Sequence, residues 1–351
     1  MIYNDLQPQR DCPQGSLIQI TQQVPALRNN VLGQSERVVH DVYLPPGYHQ
    51  DEQRSYPLFV ALAAYTNAGP GQVAWRNHGE TLPQRLDRLL AQGDMGPVIC
   101  VFPNAWNALG GNQYVNSSTV GPWADIIVDG LLPQLDQTLR TLGPSQRAVF
   151  GKSSGGFGAL HLAMSRPGSF AACAAHAADM GFDVVFLPDL PQTCQVLERY
   201  DYDLPRFVRQ FWRRKKADYR EFHALMTLCL AASYDPQPQQ PLGLRLPFVT
   251  RSCELIESAW ENWLRFDPAR WRSAQHQALA SLQALWLDVG RFDQYNIQFG
   301  SRRLHQQLEQ AGIDHHYEEF DGNHSGMDWR LDASLPYLYH GLNPTMPTDL
   351  T

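Results

Sequence analysis

Arg147-Ala148-Val149-Phe150-Gly151-Lys152-Ser153-Ser154-Gly155-Gly156-Phe157-Gly158-Ala159-Leu160-His161-Leu162-Ala163-Met164 is the stretch on which the fold turns. Residues 147–150 form an apolar run of strand character, and residues 156–164 suit a helix. Between them the spacing G-x-S-x-G predicts a strand, a tight turn and a helix, the layout of a nucleophile elbow. A serine at the tip of such a turn is forced into a strained backbone conformation that only small neighbours permit. Gly151 and Gly155 therefore let strand and helix approach while the Ser153 hydroxyl projects outward. Ser153 is the candidate nucleophile.

An elbow of this kind draws its acid and its histidine from later in the chain, in that order. Residues 284–289 read as a buried strand followed by Gly290-Arg291-Phe292-Asp293 and then an amphipathic helix over 297–311. Asp293 would sit beyond a strand's C-terminal end, where open α/β sheets place their chemistry. A further strand, 316–320, runs into Asp321-Gly322-Asn323-His324-Ser325-Gly326. Of the 12 histidines, His324 is the one with a glycine turn and a C-terminal position. Two other acids compete with Asp293: Asp288, inside the strand pattern and better suited to structure, and Asp179, beyond the strand that follows the elbow.

Working outward, residues 37–44 read as a strand stopped by Pro45-Pro46-Gly47, after an irregular N-terminal segment. Residues 58–64 and 98–102 are near-continuous apolar runs of strand length, with helix-compatible residues 82–91 between them. Residues 124–139 have helical spacing, and residues 171–176 read as the strand after the elbow helix. Strands alternating with helices predict an α/β fold with a mainly parallel central sheet covered on both faces. The alternation stops over 180–278, where stretches such as 204–220 and 254–266 suit helices and no strand is evident. The expected organisation is one catalytic domain in two parts, 1–179 and 279–351, interrupted by a helical cap insertion at 180–278. Within the insertion Phe207, Phe211, Trp212, Phe222, Trp260 and Trp263 read as its core, and Arg213-Arg214-Lys215-Lys216 as a solvated helix face.

Composition narrows the partners. A chain of 351 residues with net charge −7 has no acidic blocks, and its 28 basic residues are arginine except for Lys152, Lys215 and Lys216. That pattern excludes a nucleic-acid face and leaves small soluble molecules as the expected partners. No stretch approaches the roughly 18 apolar residues of a membrane span. Met1-Ile2-Tyr3-Asn4-Asp5-Leu6-Gln7 lacks a basic region followed by an apolar run, so a cytoplasmic location is expected. Cys12, Cys100, Cys173, Cys194, Cys229 and Cys253 show no metal-ligand spacing and read as reduced thiols.

Several landmarks then coincide. Val42-Tyr43-Leu44-Pro45-Pro46-Gly47-Tyr48, Tyr56-Pro57-Leu58, Phe102-Pro103-Asn104, Asn116-Ser117, Gly151-Lys152-Ser153-Ser154-Gly155-Gly156, Gly290-Arg291-Phe292-Asp293 and Gly322-Asn323-His324-Ser325 with Trp329 occur in one order. In these the chain resembles the esterase family of α/β-hydrolases that includes enterochelin esterases, S-formylglutathione hydrolase, feruloyl esterases and mycolyltransferases. The resemblance covers about 15–176 and 284–338. It implies an α/β-hydrolase fold and a serine esterase acting on a small-molecule ester, with Ser153, Asp293 and His324 as triad and no cofactor or metal. An acyltransferase with the same triad and a catalytically silent binding protein are the alternatives.

Family members carry a His-Gly pair after the third strand, whereas this chain has Ala63-Ala64-Tyr65-Thr66-Asn67. The oxyanion donors are backbone N–H groups, so the resemblance assigns them to Ser154 and to Ala64 or Tyr65. Trp106, Asn116 and His176 are candidates for the substrate pocket, with packing or turn roles as the competing reading; the same holds for Asn104 and Tyr114.

Overall fold

The computed structural model describes residues 12–76, 79–216 and 218–342. Its main sheet has eight strands: β1 (Ser16–Gln23), β2 (Arg37–Leu44), β3 (Leu58–Leu62), β4 (Ile99–Phe102), β5 (Arg147–Lys152), β6 (Ala172–His176), β7 (Ala284–Gly290) and β8 (His316–Phe320). Their spatial order is β1-β2-β4-β3-β5-β6-β7-β8. β1 and β4 flank β2 antiparallel, and from β4 onward every pairing is parallel. The expected α/β fold with a mainly parallel sheet is therefore what the chain adopts.

β1 corrects the expectation of an irregular N-terminus. Its sequence, Ser-Leu-Ile-Gln-Ile-Thr-Gln-Gln, carries polar residues on much of its length, and it becomes a strand through a full ladder with β2 from Ser16 opposite Leu44 to Gln23 opposite Arg37. Central strands announce themselves by burial on both faces. An edge strand has no such pattern.

Two apolar layers enclose the sheet. On one face α1 (Leu82–Gln92) and the C-terminal helix Leu331–Gly341 pack Leu86, Leu89, Leu335 and Leu338 against Phe59, Phe102, Phe150 and Trp286. α1 starts with a capping box between Thr81 and Gln84 and ends on Gly93 at φ 77°. On the other face lies α3 (Ser154–Ser165), preceded in the chain by a helical run that ends in α2 (Leu132–Thr138). That run was expected to be one regular helix, yet residues Ile126–Leu131 form a π-turn. Gln22 reaches in from β1, and its Nε2 donates to Ile126 O at 2.9 Å, occupying a carbonyl that a regular helix would use internally. Gly130 leaves room for it: a Cβ there would stand 2.5 Å from the Gln22 amide nitrogen.

Between β6 and β7 the long elements are helical: α4 (Leu190–Glu198), α5 (Leu204–Arg213), α6 (Tyr219–Tyr234), α7 (Glu257–Leu264) and α8 (Ser273–Ala280). The stretch expected as one helix over 204–220 breaks after Arg213, because Asp218 caps a new helix by accepting from the Arg220 N–H. Arg214 is not a purely solvated residue. It pairs at 2.9 Å with Glu221, whose side chain is fully buried, and donates to the Tyr200 hydroxyl. Phe207, Phe211, Trp260 and Trp263 are buried, while Trp212 is 46% exposed. The insertion is fused to the α3 face rather than perched on it: Tyr234 lies 5.8 Å from Phe157 of α3, 5.7 Å from Trp263 and 4.9 Å from Phe266, ring centre to ring centre. α9 (Ile297–Gln310) and α10, the C-terminal helix named above, complete the core.

Among the described residues no helix is long and apolar enough to cross a membrane. Met1–Gln7, read above for a leader, lies outside the described residues.

Burial of two histidines makes stability pH-dependent. Burial pushes the imidazoles of His40 and His161 down to about 4, with nearby Arg166 adding to the effect at His161. Above pH 6.5 both are neutral whether the chain is folded or not. As pH falls toward 4 the unfolded chain takes up protons that the folded one refuses, so each group removes stability, about 2 kcal/mol by pH 5. His161 lies flat against Phe157 at 5.8 Å. His161→Phe, which has no proton to gain, is expected to show a smaller drop in urea midpoint between pH 7 and pH 5 than wild type. Equal drops would exclude His161 as a source of acid lability.

Candidate active site

β5, β6, β7 and β8 lie side by side and run in the same direction, so the residues beyond their C-terminal ends gather on one edge. Ser153 follows β5, Asp179 follows β6, Asp293 follows β7 and His324 follows β8. The topology thus brings one hydroxyl, two carboxyls and one imidazole from four separate segments to a common place.

Ser153 has φ 56° and ψ −124°, a conformation that costs a side-chain-bearing residue of order 1–3 kcal/mol. Its surroundings hold it there. The Ser153 N–H donates to His176 O at 2.9 Å, and Ser153 O accepts from the Phe157 N–H at 2.8 Å. The flanking glycines are needed for close approach: a Cβ on Gly155 would stand 2.2 Å from Leu62 O, and one on Gly151 would stand 2.5 Å from the Gly155 carbonyl. Ser154 is the first residue of α3, so its N–H has no partner within the helix and faces the edge with the helix's positive end.

Asp293 and His324 are joined. His324 Nδ1 and Asp293 Oδ2 are 2.8 Å apart, and both residues are buried. Asp293 Oδ1 accepts from the Tyr295 N–H at 2.9 Å, which fixes the carboxylate plane. The His324 backbone N–H donates to Gln294 Oε1, and Tyr295 stands edge-on to the imidazole at 4.8 Å. With Nδ1 bonded to the carboxylate, Nε2 is left to accept a proton.

Ser153 points elsewhere. Among the described residues its hydroxyl donates not to His324 but to Asp179 Oδ1, at 3.2 Å. The Ser154 hydroxyl donates to Asp179 Oδ2, also at 3.2 Å, and accepts from Gln113 Nε2 at 3.1 Å. Tyr234 OH completes the chain with a bond to Gln113 Oε1 at 3.2 Å. Burial raises the Asp179 carboxyl to about 6, while His324 and the hydrogen bonds from Ser154, Ser153 and Gln113 pull the other way. Asp179 therefore belongs to the site without being bonded to the imidazole. Its position after β6 was legible in the sequence; Gln113 and Tyr234 carry no sequence signal, because each is a lone polar group in an unrelated segment.

Asp288 is structural. It accepts from Trp286 Nε1 and Arg330 Nε, each at 2.9 Å, and lies 2.8 Å from His176 Nδ1. Burial works against its ionisation, but His176, Arg330 and Trp286 hold its carboxyl below the usual range. The Nε2 of His176 meets the Ser334 hydroxyl at 3.0 Å, so both ring nitrogens are engaged, and the residue lines the cavity that also holds Ala64, Gly151 and Lys152. Trp106 pairs with Trp212 at 5.7 Å, and Asn116 exchanges hydrogen bonds with Asp125. Among the described residues no hydrogen bond or ring contact joins either of them to Ser153, Asp293 or His324. Asn104 donates its N–H to His40, and Tyr114 OH donates to Ala63 O at 2.7 Å.

That last bond braces the loop after β3. The Thr66 N–H donates to Gly110 O and the Asn67 N–H to Ala64 O, whereas no turn bond among the described residues takes the N–H of Ala64 or Tyr65. The Tyr65 ring lies against Gly110 and Gly111, with its hydroxyl on Leu109 O. The loop thus turns without the His-Gly pair. Beside it, Lys152 enters a cavity of about 180 Å³ that Ala64, Gly151, Arg76 and Asp328 also line. Burial lowers its ammonium pKa against the pull of Asp328 and Asp293.

A family model described as "Putative esterase" matches residues 34–334. Among curated proteins none matches the sequence. Several solved structures share the fold. A ferulic acid esterase has a TM-score of 0.60 at 20% identity, covering 93% of this chain and 99% of its own. A ferulic acid esterase from Anaeromyces mucronatus, in complex with ferulic acid, has a TM-score of 0.52 at 14% identity over 96% of this chain and 92% of its own. An S-formylglutathione hydrolase from Agrobacterium tumefaciens has a TM-score of 0.52 at 16% identity over 95% and 98%.

Proposed function

The chain belongs to the esterase family, a carboxylic ester hydrolase by that membership, and on this premise we propose that it works through an acyl-enzyme on Ser153 with His324 as base and Asp293 as the acid that orients it. The observation that carries the reading is the 2.8 Å Asp293–His324 pair at the sheet edge where Ser153 sits in its strained turn.

In the first step the Ser153 hydroxyl hydrogen turns from Asp179 toward His324 Nε2, and the oxygen attacks the ester carbonyl carbon. His324 Nε2 takes the hydroxyl proton as the bond forms, and Asp293 stabilises the imidazolium. The oxyanion is received by the Ser154 N–H and by the N–H of Ala64 or Tyr65, each such donor being worth about 3 to 4 kcal/mol of barrier. The imidazolium then returns its proton to the departing alcohol. Water, deprotonated by His324, repeats the sequence and releases the acid.

A fluorophosphonate probe reports the nucleophile directly. It is expected to label Ser153, located by mass spectrometry, and the unlabelled protein is expected to turn over p-nitrophenyl esters of short acyl chains. A label on another residue, or none on folded protein, would remove the assignment.

A further inference from the structure

Asp179 has a hydrogen-bond requirement that changes during the reaction. In the free protein one of its oxygens accepts from Ser154 and the other from Ser153, with Gln113 as a further donor to the carboxylate. It is 5% exposed, and among the described residues no arginine or lysine pairs with it. Ser154 is itself anchored by Gln113, which Tyr234 holds in turn, so that half of the arrangement stays in place through the reaction.

The Ser153 half is not. Acylation, on the reading of Ser153 given above, transfers the hydroxyl proton to His324 and then to the leaving alcohol, and an acyl carbon takes its place. Asp179 Oδ1 then faces an ester oxygen, which cannot donate. A buried carboxylate stripped of a donor is costly, and the loss recurs in every turnover unless the acyl group supplies a replacement. The carbonyl carbon lies one bond from Oγ, and a substituent on the adjoining carbon lies two bonds further. Such a substituent is within reach of an oxygen 3.2 Å from Oγ.

We infer that Asp179 is a specificity-determining residue that selects esters whose acyl group carries a hydrogen-bond donor, a hydroxyl or a protonated amine, on the carbon next to the carbonyl. A site built around a polar partner discriminates strongly against an analogue lacking it, because the protein group is left unpaired.

The test compares ethyl 2-hydroxypropanoate, ethyl 2-aminopropanoate and ethyl propanoate, three esters of equal carbon skeleton, by pH-stat at pH 7. Wild type, Asp179→Asn and Asp179→Leu are each checked for fluorophosphonate labelling of Ser153. For wild type, kcat/KM on the hydroxy or amino ester is expected to exceed that on the plain ester by on the order of 100-fold or more. In Asp179→Leu the ratio is expected to collapse toward one. Asp179→Asn, which keeps the shape and a polar edge but no charge, separates the donors: preference for an amine is lost, and preference for a hydroxyl is reduced but retained. Equal rates on the three esters by labelled wild type, zero included, would overturn the proposal. So would a preference that persists in a labelled leucine variant or, where that variant is unlabelled, an unchanged pattern in the asparagine variant. Absence of labelling at Ser153 in wild type would instead strike at the nucleophile assignment.

Discussion

Ser153→Ala is expected to lower ester turnover by on the order of 10⁵- to 10⁶-fold, the loss typical when a serine nucleophile is removed from a working triad. The size follows from what the residue supplies. Without Oγ no acyl-enzyme forms, and only the oxyanion donors and binding remain, which by themselves leave about 10³- to 10⁴-fold over water. Folding should survive. Alanine fits wherever serine does, and the elbow is held by main-chain bonds from Ser153 N to His176 O and from Phe157 N to Ser153 O, which the substitution leaves intact. The measurement is kcat/KM on p-nitrophenyl acetate, with fluorophosphonate labelling and the urea midpoint recorded on the same preparation. A drop of less than tenfold with an unchanged midpoint would mean that the hydrolysis runs through another group.

Asp293→Asn is expected to reduce kcat by about 10⁴-fold near neutral pH. An amide in place of the carboxylate can turn its NH₂ toward His324 Nδ1, which pushes the ring proton onto Nε2, the atom that must accept the proton of Ser153. The two other carboxyls of this edge provide controls with different signatures. Asp288→Asn breaks a buried set joining His176, Trp286 and Arg330, so its damage should appear in the unfolding midpoint, of order 3–5 kcal/mol, before it appears in kcat. Asp179→Asn acts on a carboxyl bonded to the Ser153 hydroxyl but not to the His324 imidazole. A 10⁴-fold loss in Asp179→Asn together with a mild effect in Asp293→Asn would move the orienting role to Asp179.

How far the site could be read in advance depended on which residues chemistry makes conspicuous. The elbow is written in five consecutive residues, because the strained turn at Ser153 demands glycine on both sides. Asp293 and His324 each follow an apolar run of strand length, and a parallel sheet leaves few places for such residues except one edge. β1 carries no strand signal in its sequence because an edge strand buries only part of its surface, and the π-turn at Ile126–Leu131 carries none because it depends on Gln22, more than a hundred residues away in the chain. Trp106 and Asn116 are read as pocket candidates because a long loop after β4 carries them; the partners they meet, Trp212 and Asp125, come from packing that local sequence does not encode.

The sequence by itself determined the class of fold, the elbow and the residues proposed for the chemistry, since backbone strain, alternation of apolar runs and chain order act locally or along one strand at a time. Only the tertiary structure decided which partners those residues meet. Three carboxyls follow from the sequence as rivals. Asp288 is taken by Arg330, Trp286 and His176, Asp293 meets the His324 imidazole, and Asp179 holds the Ser153 hydroxyl. That division rests on hydrogen-bond geometry across segments far apart in the chain, where a difference of a few ångströms in the packing of a buried carboxylate fixes which donor satisfies it.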